Sequence, residues 1–259
     1  MLMSTTLMSF LSGGALADVS AGLIKLDEGD LPGAATDFAN AFDAGDAEGA
    51  FYLGRLFELG LGTDKNEVQA ANLYSAAADA GSAKAKLRLG LIYHEGRILL
   101  RDYVAGTQLI CDAADAGEPD AQLNCALAYQ QGIGIDANEE QAIAYLNTAV
   151  ANDNIAAMNV LSSIYRSRGD TERAKVFALE AADRGNALGM LRYAEMVSQE
   201  DPPDLITAYA YASLAFVRGL SEAGELQNRL EGQMTRENVL AGQQQAVSWT
   251  NAQIQKMAN

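Results

Sequence analysis

A single histidine is the first limit this sequence sets. One imidazole cannot furnish a multi-histidine metal site, and it leaves little room for His-based acid–base or nucleophilic catalysis. Cations are scarce too: 18 Lys and Arg stand against 34 Asp and Glu, a formal net charge of −16. Phosphate binding relies on clustered cations that release counterions, so nucleic acid is excluded as the main partner. Docking on an anionic membrane surface is disfavoured for the same reason. Beyond residue 17 no stretch approaches the roughly 20 apolar residues that span a bilayer. The Gly-x-Gly loops lack a preceding strand and any Gly-Lys-Ser/Thr, so they read as turns rather than phosphate cradles. Asp136, Asn138 and Glu140 alternate like part of a calcium loop, but no Gly holds the sixth position and no distal Glu follows. Four prolines and one Trp accompany abundant alanine and glycine, a mix suited to close-packed helices. With 49% hydrophobic and 20% charged residues, the chain can bury a core.

The N-terminus reads first as a processing segment. Residues 1–17 carry no charge, Leu7–Leu11 is apolar, and Ala15-Leu16-Ala17 matches the small-x-small pattern cut by signal peptidase. The usual basic residue before the apolar stretch is missing, since the first is Lys25. The expectation is a signal peptide over 1–17 and a mature protein that begins at Asp18, periplasmic or secreted, with no membrane insertion after processing.

An internal repeat dominates the rest. Ala50–Gly62, Lys86–Ile98 and Gln122–Gly134 align without gaps, with a small residue at Gly54, Gly90 and Ala126, a step of 36 that Ser162 continues. Three residues later comes an aromatic each time: Phe57, Tyr93, Tyr129, Tyr165. The units end at Gly45, Gly81 and Gly117, then at Asp153, a residue type that tolerates the left-handed backbone. Each unit reads as two helices. The first has apolar residues at helical spacing, such as Leu53, Leu56 and Phe57, and core Leu89 contrasts with an exposed Lys84. The second starts after a loop in which Asp64 and Asp136, or Asn66 and Asn138, supply the cap. Asp18–Gly45 reads as a degenerate first unit. Later units shorten to the Arg168-Gly169-Asp170 turn, and Pro202 and Pro203 are expected to open the last second helix. After Gly219 a helix begins over 221–234, and Thr235 caps a longer polar one reaching Ile254. The expected organisation is a helical repeat array over 18–220 and a C-terminal helical cap over 221–259, which covers the last apolar face of an open stack.

The pattern Ala-x-x-x-Leu-Gly-x-x-Tyr-x-x-Gly-x-Gly, then Ala-x-x-x-Tyr or Leu, then Ala-Ala-x-x-Gly resembles the Sel-one-like repeat family of tetratricopeptide-like α-solenoids. Ala50–Gly81 and Lys84–Gly117 match best, Asp120–Asp153 is close behind, and weaker matches reach over roughly 18–219. The resemblance implies an all-α, right-handed superhelical solenoid of antiparallel helix pairs. It also implies a non-catalytic scaffold or regulator of the bacterial envelope that binds a protein partner and holds no cofactor or metal. Certain cysteine-rich relatives are linked to cell-wall or penicillin-like compounds, which makes a cell-wall-ligand binding protein or weak hydrolase the alternative. This chain departs from their pattern of a cysteine pair in nearly every unit. Cys111 and Cys125 lie at similar depth on neighbouring helices, and export would permit a bond. Yet the positions equivalent to Cys111 (Ser75, Asn147, Leu179, Ser213) are mostly polar and outward, which leaves the pairing open. The oligomeric state is open as well.

In a right-handed solenoid of this kind the first helices line the concave side. Residues two before and one after each small residue share a helix face. That stripe is Tyr52 and Arg55, Arg88 and Leu91, Asn124 and Leu127, Arg192 and Glu195. It mixes apolar side chains, arginine and polar groups as recognition surfaces do, and is the expected partner-binding site. The alternative is that Leu91 and Leu127 pack against the preceding unit. His94 is expected to face solvent on its helix.

Overall fold

A computed structural model describes residues 19–258 of the chain. The proposed signal segment, and Asp18 after it, lie outside the described residues. Those described form fourteen α-helices and no strand. In chain order they are α1 (Val19–Glu28), α2 (Leu31–Asp43), α3 (Ala47–Leu59), α4 (Glu67–Asp79), α5 (Ala83–Glu95) and α6 (Tyr103–Asp115). There follow α7 (Pro119–Gln131), α8 (Glu139–Ala151), α9 (Ile155–Ser167), α10 (Thr171–Asp183), α11 (Ala187–Val197) and α12 (Leu205–Val217). The last two are α13 (Ser221–Glu231) and α14 (Arg236–Ala258). Odd-numbered helices are the first members of each pair, even-numbered the second.

The sequence signals that start and stop these helices act as hydrogen-bonding groups. Asn66, Asp102 and Asn138 accept the main-chain N–H three residues on, at 2.9–3.1 Å, and so cap α4, α6 and α8. The asparagines, not Asp64 or Asp136, do the capping. Pro202 and Pro203 do not open α12 either: they precede its cap Asp204, whose carboxylate takes the Thr207 N–H. Thr235 caps α14 as expected. At the far ends, Asp153 takes φ +59°, the one non-glycine with positive φ among the described residues. Its N–H and that of Asn154 reach back to the carbonyls of Val150 and Ala149, closing the helix end as the glycines do in other units.

The 36-residue spacing of small residues has a packing cause. A Cβ built on Gly90 would lie 2.6 Å from the Gly106 carbonyl oxygen, so α5 touches the backbone of α6. At the equivalent point in a later pair, the Ser162 hydroxyl donates to the Ala174 carbonyl at 2.9 Å, filling the gap with a hydrogen bond. Helix pairs held this close bury alanine where other folds bury leucine.

The chain divides into two compact units, residues 1–121 with 133–135, and residues 122–132 with 136–259. In the first, Phe38, Leu56, Tyr74, Leu89 and Ile92 anchor the core. In the second, Leu146, Leu161, Met190, Tyr209 and Leu230 do so, and α14 lays Val239, Ala246 and Trp249 over α12 and its neighbours. Leu89 is buried as expected. Cys111 corrects an expectation: it is 7% exposed although its equivalents Ser75 and Asn147 face outward, and both it and Cys125 are disulfide-bonded, leaving no free thiol.

Candidate functional site

All eight stripe residues sit on first helices, as the spacing predicts, and all are half-buried. In the first unit the stripe is knitted into a charge network. Glu58, one helical turn beyond Arg55 on α3, accepts from the Tyr74 hydroxyl at 2.6 Å and from Arg55 Nη1 at 2.7 Å. Arg88 on α5 grips its other oxygen through Nε, at 2.9 Å, and Nη2. Burial pushes the Glu58 carboxyl up, but the bonds from Arg88 and Tyr74 and the two arginine charges outweigh it and hold the group below the ordinary carboxylate value. Burial first, and then the same contact, raise the Tyr74 phenol well above its usual range.

Lys84 is not the free surface residue the spacing suggests. Its ammonium lies 3.0 Å from Glu48, donates to the Tyr52 hydroxyl at 3.1 Å and sits over the Tyr52 ring. Burial lowers its affinity for a proton, yet the bonds to Glu48 and Tyr52 prevail and raise it to about 12. Around these pairs a groove of about 420 Å³ opens, with apolar Phe51, Leu87 and Leu91 beside Arg55, Lys84 and Arg88, and with Glu118 and Asp120 at its rim. Leu91 lines that groove.

The second unit holds Asn124 and Leu127 on α7, and Arg192 and Glu195 on α11. Glu195 pairs with Arg166 of α9 at 3.1 Å. Arg192 donates Nη1 to the Asn159 main-chain oxygen and is in no ion pair among the described residues. Burial first, then the neighbouring Arg166 charge, weaken its hold on its proton.

Spacing alone missed Glu58, Lys84 and Arg166. A signal for two of them was present: the residue four after each small residue (Glu58, His94, Gln130, Arg166) extends the same face by one turn. His94 itself does not face solvent. It is half-buried, edge-on to Tyr103 at 5.4 Å, with Nε2 3.0 Å from the Thr107 hydroxyl. That hydroxyl donates to the Ile133 carbonyl, so Nε2 carries the proton and donates to Thr107. Among the described residues no group of three or more His, Cys, Asp and Glu is arranged to hold a metal. None of the helices there is long and apolar enough to cross a membrane.

The Sel1 repeat model matches residues 47–82, 83–118 and 119–154, three consecutive units in the register read from the sequence. Residues 47–154 thus carry three Sel1 repeats, and the fold is an α-solenoid of antiparallel helix pairs. The crystal structure of a Sel1 repeat protein from Oxalobacter formigenes superposes with a TM-score of 0.74 over 92% of this chain and 96% of that one, at 20% identity. The protective antigen c5321 of uropathogenic Escherichia coli, which displays the same fold, superposes at 0.57 with 18% identity, over 92% of this chain and 64% of its own. No curated protein sequence matches the chain. Sel1-repeat proteins are in general protein-interaction scaffolds.

Proposed function

We propose that the protein is a non-catalytic binding scaffold or regulator of the bacterial envelope, which holds a segment of a protein partner along the face of its first helices. The observation that carries this is the groove in the first unit, where half-buried Phe51, Leu87 and Leu91 adjoin Arg55, Lys84 and Arg88. Apolar patches flanked by arginine are the anchors of protein interfaces. In the second unit Asn124, Leu127, Arg192 and Glu195 stand at the equivalent positions of their own first helices. Export is supported by Ala15-Leu16-Ala17 and by the oxidised state of Cys111 and Cys125, since disulfides persist in oxidising compartments.

The test must respect the charge network. Reversing Arg55 and Arg88 would strand Glu58 among new carboxylates and unfold the region, so Leu91→Glu is the better probe. It puts a charge in the groove without cutting an ion pair. Capture of partner from envelope extract by immobilised protein should be lost while the melting temperature stays within a few degrees. Undiminished capture by the folded variant would move the binding surface to the second helices or to α14. Intact mass of protein from the envelope fraction should correspond to a chain beginning at Asp18; full-length protein in the cytosol would contradict export.

A further inference from the structure

Helix α14 carries two apolar stripes. Val239, Ala246 and Trp249 pack on the core of the second unit and close that end of the array. One residue further along, and so turned by about 100°, Leu240, Val247 and Ile254 are 50%, 59% and 56% exposed. Capping the last helix pair accounts for the first stripe and not for the second. A spacing of seven keeps the three exposed side chains on one face, and it is the period of helices that pair with other helices. Beside Val247 a groove of about 500 Å³ runs between α12 and α14, walled by Leu214, Val217, Ala246 and Thr250. Val217 in that wall is 81% exposed. Arg218, the one charged residue of the lining, sits over the Trp249 ring and donates to the Leu214 carbonyl.

We infer that this face of α14 is a homodimer interface, in which the α14 helices of two copies pair antiparallel about a two-fold axis at Val247. Two observations select a second copy as the occupant. The first is charge. Residues 238–255, eighteen in succession, carry none, the longest such run in the sequence. Copies that each bear −16 repel one another, so they meet at least cost where both surfaces are neutral. The second is symmetry. Leu240 and Ile254 each lie seven residues from Val247. A two-fold axis there sets Val247 against its own copy and Leu240 against the other chain's Ile254, the self-complementarity that an isologous contact requires. Antiparallel pairing also brings the positive end of one helix beside the negative end of the other. Gln243, Gln244 and Asn251, exposed beside the stripe, offer hydrogen bonds that need no counter-charge. The interface is independent of the groove around Leu91.

Sedimentation velocity of the purified protein over a range of concentrations provides the test. Wild-type protein should pass from monomer to dimer as concentration rises. Val247→Glu sets two carboxylates face to face at the axis, and should move that transition up in concentration by about tenfold or more. Its helical circular dichroism should be unchanged, since the position is exposed. Val176→Glu, at an exposed apolar position on α10, should leave the transition where it is. No native thiol is free, so introduced cysteines report the register. Oxidised Val247→Cys should give a covalent dimer. Leu240→Cys should link to Ile254→Cys in a mixture of the two variants and not to itself. A chain that stays monomeric at every concentration, or a dimer indifferent to Val247→Glu, would overturn the interface. Capture of a different protein by a photo-crosslinker at position 247, with no self-adduct, would reject the second copy as its occupant. Leu240→Cys linking to itself in preference to Ile254→Cys would overturn the antiparallel arrangement.

Discussion

At the scale of single residues, Glu58 is the point where sequence and structure part. Its carboxylate gathers Arg55, Arg88 and Tyr74 from three helices, and its side chain is only 13% exposed. Hydrogen bonds to a charged group contribute roughly 1.5–3 kcal/mol, so Glu58→Gln should cost about 2 kcal/mol in urea unfolding at pH 7. Because the folded carboxyl is held below its ordinary value of 4.5, this stability is present above that pH. It is lost as pH falls through the folded value. The gap between wild type and Glu58→Gln should therefore narrow below about pH 4; a gap constant from pH 7 to pH 3 would show that the network is not charged as described. Leu89→Ala, which opens a cavity in the first unit's core, should cost roughly 2–5 kcal/mol. Lys84→Ala, on the same helix, should cost about 0.5 kcal/mol as its partly exposed pair with Glu48 goes. Equal losses at the two sites would mean that the helix register is wrong. The stripe was legible because spacing fixes which residues share a face. Partners were not, because spacing does not say which neighbouring helix offers a charge. The arginines read as free for that reason, and Lys84 as solvent-facing.

At the scale of helices, the period of 36 carries nearly all the information. Small residues mark where a first helix meets its partner's backbone, and the terminal glycines mark where each pair turns back. The alternation of helix and loop could therefore be read without coordinates. Choices between adjacent candidates could not. Asp64 or Asn66, and Asp136 or Asn138, differ by two residues, and only backbone geometry settles that the asparagine sits at the cap. Asn138→Ala should accordingly cost about 1 kcal/mol, whereas Asp136→Ala, at an exposed loop position, should be nearly neutral. Thermal melts of the two variants separate the cases, and a larger loss at Asp136 would reassign the cap. Gly90→Ala should destabilise more than either, because its Cβ would press on the Gly106 carbonyl.

At the scale of the whole molecule, first and second helices both build the core, with Leu89 and Leu161 on first helices and Tyr74 and Leu146 on second ones. The helical organisation up to the C-terminal pair was legible in the sequence, since each unit repeats the same contacts. The chemistry of the face was not, because it lies in departures from the repeat: Arg166 where Glu58 would be, or a buried disulfide-bonded cysteine where most equivalents are polar. The claim that the first helices hold the partner is tested most directly by a photo-crosslinking amino acid placed, in the native cell, at Leu91 on α5 or at exposed Asn72 on α4, both in the first unit. Adducts of a defined protein from position 91, with none from position 72, are the predicted result. Adducts from position 72 alone would place the partner on the second helices and contradict it.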